Sequence, residues 1–153
     1  MDANHINAVI EAFMTVIPQL GMTDVKRGNV SLKGRYITSP GVVIIVGIVG
    51  DIKGNIIYGI GADAAKKIAS TMMMGMPVDE FNELAQSAIS ELTNMLTATV
   101  ATNFSNIGIN INISTPTLVY GEFTANASTE KVISVEMLVN DIKIEANISL
   151  EKN

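Results

Sequence analysis

Apolar and polar residues alternate along this chain with periods that change at clear boundaries. Over residues 3–17, Ile6, Val9, Ile10, Phe13, Met14 and Ile17 recur at three- and four-residue spacing, as on one face of a helix. Pro18 and Gly21 close that segment. Residues 30–38 alternate loosely and predict a strand, and the apolar β-branched run at 41–49 predicts a buried one. DIKGN predicts a turn, since Gly54 and Asn55 tolerate positive φ, and 55–60 predicts the returning strand. Asp63 opens a second helix, stopped by Gly75 and Pro77. A long third helix is expected with Asp79 as N-cap, Asn82 or Glu83 in its first turn, and an end near Gly108. INISTPTLVYG reads as irregular and then extended, with Pro116 in the turn. Residues 131–138 and 141–150 alternate around Asn140-Asp141 and predict a second hairpin.

The order α-β-β-β-α-α-β-β-β predicts an α+β fold, a mainly antiparallel sheet covered on one face by the long helices. Helix one carries Asn7-x3-Glu11-x2-Met14, and helix three carries Ser87-x3-Glu91-x2-Asn94. That echo, ahead of strands in both places, fits two similar halves. A chain of 153 residues is long enough for one domain spanning 1–153 with a substantial core.

Composition removes several function classes. With 15 acids against 10 bases, the net charge of −5 disfavours binding to a nucleic-acid backbone. No cysteine is present, which excludes a disulfide framework, a thiolate metal site and a cysteine nucleophile. The first residues lack the basic start and apolar run of a signal peptide, and no apolar stretch is long enough to span a membrane. A cytoplasmic protein is the expectation. His5 is the only histidine and is expected to be solvent-exposed near the terminus; alone it supports neither a metal site nor a Ser-His-acid set. GIVGDIKGN lacks the Lys and the following helix of a phosphate loop. The methionines at 72, 73, 74 and 76 are expected to fill core gaps at a helix end.

What remains is the third helix. Between Glu83 and Glu122 the only charged side chain is Glu91. Ser87, Glu91 and Asn94 fall at helical neighbour spacings and share one face. Solvated faces usually carry mixed charges; one carboxylate and one amide among small residues suit close docking of another molecule. An unremarkable surface Glu and Asn are the alternative on pattern alone. Asn is a weak helix former, so its mid-helix position calls for a reason.

Ser87-AIS-Glu91-LT-Asn94, followed 22 residues later by Pro116, resembles the signature of the CheC/CheX/FliY phosphatases of bacterial chemotaxis. ELAQSAISELTNM, PTLVYG, GVVIIVGIVGDIKGNIIYGI and MMMGMPVDEFNELAQSAI are similar too, so the resemblance runs over essentially the whole chain. Met14 stands where a second active helix would have Asn, which fits the CheX branch with one active helix.

The resemblance implies hydrolysis of the aspartyl phosphate on a CheY-like response regulator. Asn94 would orient the attacking water, and Glu91 would pair with the regulator's active-site Lys. Ser87 and Ala98 would lie in the partner-binding face, with Ala88 and Ala101 also allowing close approach. No cofactor of its own is implied, Mg²⁺ being expected on the regulator, and a homodimer held at strand edges is implied as well. A non-catalytic module that binds a regulator or scaffold is the alternative reading.

Overall fold

The computed structural model describes residues 3–153, so residue 1, the expected start of the domain, lies outside the described residues. The chain opens with helix α1 (Ala3–Val16) and a 3-10 turn over Ile17–Leu20. Strands β1 (Val25–Lys33), β2 (Tyr36–Thr38), β3 (Gly41–Gly50) and β4 (Ile52–Gly61) follow. Next come helices α2 (Ala62–Met72) and α3 (Glu83–Ser105). Strands β5 (Ile111–Ile113), β6 (Thr117–Tyr120), β7 (Thr124–Asn126), β8 (Val132–Val139) and β9 (Ile142–Lys152) complete the fold.

Seven strands form one antiparallel sheet in the order β1-β8-β9-β4-β3, with β5 and β6 both bonded to the far side of β3. Strands alternate their side chains between faces. Val42, Ile44, Val46, Ile56, Tyr58, Ile144, Ala146 and Ile148 therefore point together into one core, where all three helices pack. Val43 and Ile57 point the other way, into a smaller core closed by the β2–β7 pair through Ile37, Ala125 and Ala127. The α+β expectation holds.

The pairing also makes the internal echo concrete. Each half is a helix, a strand, a short strand and a hairpin. The first strand of each half crosses to the other half's hairpin: β1 pairs with β8, and β6 pairs with β3. The short strands pair with each other, and β4 joins β9 at the centre.

Five local expectations are corrected. Residues 30–38 are two strands: β1 stays on the main sheet, while β2 leaves for the opposite face. The first hairpin turns at Asp51, the first residue of DIKGN, and not at Gly54-Asn55, which are already paired in β4. Gly54 instead sits inside β4 at φ 144°, because any Cβ there would strike the Ser149 carbonyl on β9. His5 is buried, its ring edge-on to Phe104 with centroids 5.6 Å apart. Of the methionine cluster, Met72 and Met73 pack on the core, but Met74 is 97% exposed and Met76 54%. Met14 also faces outward, with Ala8 and Ala12 taking its place in the α1 core stripe. The second hairpin is as expected, with Asn140 and Asp141 both at positive φ (48° and 66°).

At the centre, the Tyr58 hydroxyl of β4 lies 2.8 Å from the Thr97 hydroxyl of α3. Thr97 donates its own proton to the Thr93 carbonyl at 2.7 Å, so Tyr58 is the donor to Thr97. Both side chains are buried. Thr97→Val removes the acceptor and strands a buried phenol, which should cost about 1–3 kcal/mol in urea unfolding. Burial raises the Tyr58 phenol above its ordinary value of 10.0, and the Thr97 contact only partly offsets this. The folded chain thus holds this proton more tightly than the unfolded one. Its contribution to stability is complete below about pH 10 and declines as pH rises through the raised folded value. The urea midpoint should fall above about pH 10, and Tyr58→Phe should flatten that fall.

Candidate active site

Helix α3 starts later than its sequence suggested. Asn82, not Asp79, is the N-cap: its side chain accepts from Ala85 N at 3.0 Å. Glu83 occupies the first turn, where the helix dipole favours an acid. The Gln86 side chain donates back to Phe81 O at 2.9 Å and ties the entry loop to the helix. The helix contains several threonines, poor helix formers. Thr93, Thr97 and Thr102 bond to carbonyls one turn back, and one side of the helix is fixed by burial of Ala85, Ile89, Leu92, Leu96, Val100 and Phe104.

The opposite side carries the predicted residues. Ser87, Glu91 and Ala98 are exposed and Asn94 is half-buried, all along one stripe of the helix. The structure thus brings Ser87, Glu91, Asn94 and Ala98 together, with Ala88 and Ala101 half-buried beside them. Among the described residues, neither the Glu91 carboxylate nor the Asn94 amide is taken up by a salt bridge or side-chain hydrogen bond. Asn94 therefore has no structural task of the kind that Asn103 has, which donates to Ala8 O and joins α3 to α1.

Pro116 is half-buried in the loop between β5 and β6. That loop is pinned by Ser114, whose hydroxyl accepts from Gly47 N at 2.8 Å and donates to Thr115 O at 3.0 Å. Two residues beyond Pro116, Leu118 shares a shallow depression with Glu83, Gln86, Ser87 and Ser90, which places this loop alongside the helix face.

Serine-based covalent catalysis is not available here. Phe104, on which His5 packs, is roughly 25 Å along the helix from Ser87 at the usual rise per residue. Among the described residues, no cluster of three or more His, Cys, Asp or Glu is placed to hold a metal ion. A cleft of about 610 Å³ between His5, Asp51, Ile109 and Leu150 includes none of the stripe residues. The face offers an acceptor-donor amide, a carboxylate and room for close approach. It is equipped to position, not to attack.

The α1 counterpart is open to solvent as well. Asn7 and Glu11 are exposed, and Met14 is 49% exposed. Its geometry is that of a helix face like α3's, with a thioether in place of the amide.

Comparison with known proteins decides the family. Residues 42–138 match the family described as Chemotaxis phosphatase CheX. The chain belongs to this family. It is 35% identical over 121 residues to the CheY-P phosphatase CheX of Thermotoga maritima, covering 79% of this chain and 78% of that one. The fold is similar to that of a CheC-like superfamily protein from Shewanella sp. PV-4, with TM-score 0.86 and 22% identity over 99% of both chains. It is also similar to the CheX–CheY–BeF₃–Mg²⁺ complex from Borrelia burgdorferi, with TM-score 0.73 and 20% identity over 97% of this chain and 96% of that one.

Sequence reasoning passed over one residue of this face. Leu84 precedes Ser87 by one turn and is 57% exposed. Its signal was legible as the large apolar residue at the head of a stripe of small and polar ones.

Proposed function

We propose that this chain is a protein phosphatase that hydrolyses the aspartyl phosphate of a CheY-like response regulator, with α3 as the docking and catalytic element. The observation that carries the reading is Asn94, an amide on an open helix face with no side-chain hydrogen bond among the described residues, one turn from the exposed Glu91. The T. maritima relative is a CheY-P phosphatase by name, and the B. burgdorferi structure is a CheX–CheY complex. That complex also holds BeF₃, a chemical stand-in for a phosphoryl group, and Mg²⁺. Here the regulator would bring the Mg²⁺, the phosphorylated Asp and a Lys.

The chemistry asks little of the phosphatase. An acyl phosphate has a good leaving group, and its hydrolysis depends on placing one water in line with the phosphorus. The Asn94 carbonyl accepts a hydrogen bond from that water and its NH₂ donates to the phosphoryl region. As the water oxygen bonds to phosphorus, the bond to the aspartyl oxygen breaks. The aspartate leaves as a carboxylate, and the water's proton passes to the phosphate or solvent. An amide is not basic, so Asn94 positions without deprotonating. Glu91 pairs with the regulator's Lys and fixes the register of docking, while Ser87 and Ala98 let the two backbones come close.

The chain is proposed to work as one unit over 1–153 and to act in the cytoplasm. Among the described residues, no helix is long and apolar enough to cross a membrane. We also propose a homodimer built on the free edges of the main sheet. The strongly apolar strand β3 is interior, bonded on both sides. The free edges are β1, with Val30 and Leu32 exposed, and β6, with Val119 and Tyr120 exposed. Light scattering at micromolar concentration should give twice the chain mass of 16.3 kDa; a monomer at all concentrations would refute the dimer.

Single-turnover dephosphorylation and regulator affinity together test the site. Asn94→Ala should lower the rate on the order of 10²-fold while affinity changes little, since one neutral amide contributes about 1 kcal/mol to binding. Glu91→Ala should weaken both, because it leaves a partner Lys unpaired in the interface. Glu11→Ala, on the counterpart helix, should change neither. Full turnover by Asn94→Ala would sink the mechanism, and binding without turnover by the wild type would make the chain an interaction module.

A further inference from the structure

The α3 face has a feature that water positioning does not use. Leu84 heads the stripe, one turn before Ser87, and shares a shallow depression with Asn82, Glu83 and Ser87. It is 57% exposed, although the other large apolar residues of the helix core, such as Ile89, Leu92 and Leu96, are buried. Nothing in the helix requires it: Ala85 turns into the core beside it, and the cap is made by Asn82. The charges nearest it along the chain are acidic: Glu83 beside it and Glu80 four residues before it are both exposed, while Asp79 lies in a depression with Lys66 and Lys67.

We infer that Leu84 is a specificity-determining contact, an apolar knob with an acidic collar that seats in an apolar dimple with a basic rim on the phosphorylated response regulator. This rests on the phosphatase reading above and extends it to partner choice. Two observations commit the knob to that partner. Leu84 continues the same helical face as Ser87, Glu91 and Asn94, so a molecule docked on those residues with its phosphoryl group at Asn94 must extend over Leu84 or leave the chain two turns earlier. The collar of Glu80 and Glu83 matches a rim of lysines or arginines. A contact remote from the reacting atoms, made equally in the ground and transition states, changes KM and leaves kcat in place. That pattern separates Leu84 from Asn94, whose loss should appear in kcat.

The test is steady-state dephosphorylation of the phosphorylated response regulator by the full chain, with Leu84→Ala, Leu84→Asp and the conservative Leu84→Met. Burial of one leucine side chain predicts that Leu84→Ala raises KM about tenfold or more with kcat within about twofold. Leu84→Asp should raise KM further, and Leu84→Met should keep it. The wild-type KM should rise with added salt, as a collar facing a basic rim requires. Circular dichroism melts verify that each variant is folded, which the exposure of Leu84 leads us to expect. An unchanged KM in Leu84→Ala, or a loss confined to kcat, overturns the inference while the phosphatase reading stands. So does a salt-independent KM. If Leu84→Asp instead changes the mass measured by light scattering, the knob belongs to a contact between copies of this chain, and the inference is overturned. A wild-type chain that releases no phosphate defeats the phosphatase reading itself.

Discussion

Helix α3 must be held firmly along one side and left bare along the other, and the Tyr58–Thr97 hydroxyl pair sits where those demands meet. Tyr58 comes from β4, one of the two central strands, and Thr97 faces it from the middle of the helix. Buried polar groups are tolerated only when satisfied, so the pair accepts few alternative registers of helix on sheet. Sliding α3 by one residue would break the pair and rotate the stripe by about 100°. The anchor therefore fixes which way Asn94 and Glu91 point. Phe104 against His5, and Asn103 bonded to Ala8 O, secure the far end of the same helix against α1.

What was legible in the sequence was what depends on neighbours in the chain. The stripe on α3 follows from helical spacing alone, and the second hairpin follows from an Asn-Asp turn between alternating segments. The family resemblance followed from the same local motif. The errors share a cause. Residues 30–38 look continuous until β8 and β7 compete for them from more than eighty residues away. Gly54 reads as a turn residue because the real reason for a glycine, the approach of Ser149 on β9, is remote in sequence. His5 reads as exposed because Phe104 is at the other end of the chain's first two-thirds. Asp79 and Asn82 are both sound caps, and only the geometry of the entry loop separates them.

The exposed methionines show the same limit from the opposite side. Four methionines in five positions look like core filler, and Met72 and Met73 behave so. Met74 instead takes a left-handed backbone, φ 60°, in a loop fixed by Gly75 N to Ser70 O at 2.8 Å and by the Ser70 hydroxyl to Met76 O at 2.7 Å. Composition within a segment predicts average burial well; the direction of one side chain depends on how the chain leaves the helix.

The exchange of first strands between the two halves has a consequence for how the chain reaches this structure. Neither hairpin can complete its sheet with strands from its own half: β3 waits for β6, and β8 has its β1 long in advance. The central pairing of β4 with β9, together with the buried bond from Asn147 to Ile57 O across 90 residues, closes last by connectivity. Such non-local pairing makes for slow folding, because the entropy of closing a long loop is spent before the contacts form. During synthesis β4 must spend its time as an unpaired apolar edge until β9 has left the ribosome. The strand whose edge waits in this way is also the one that carries the anchor of α3.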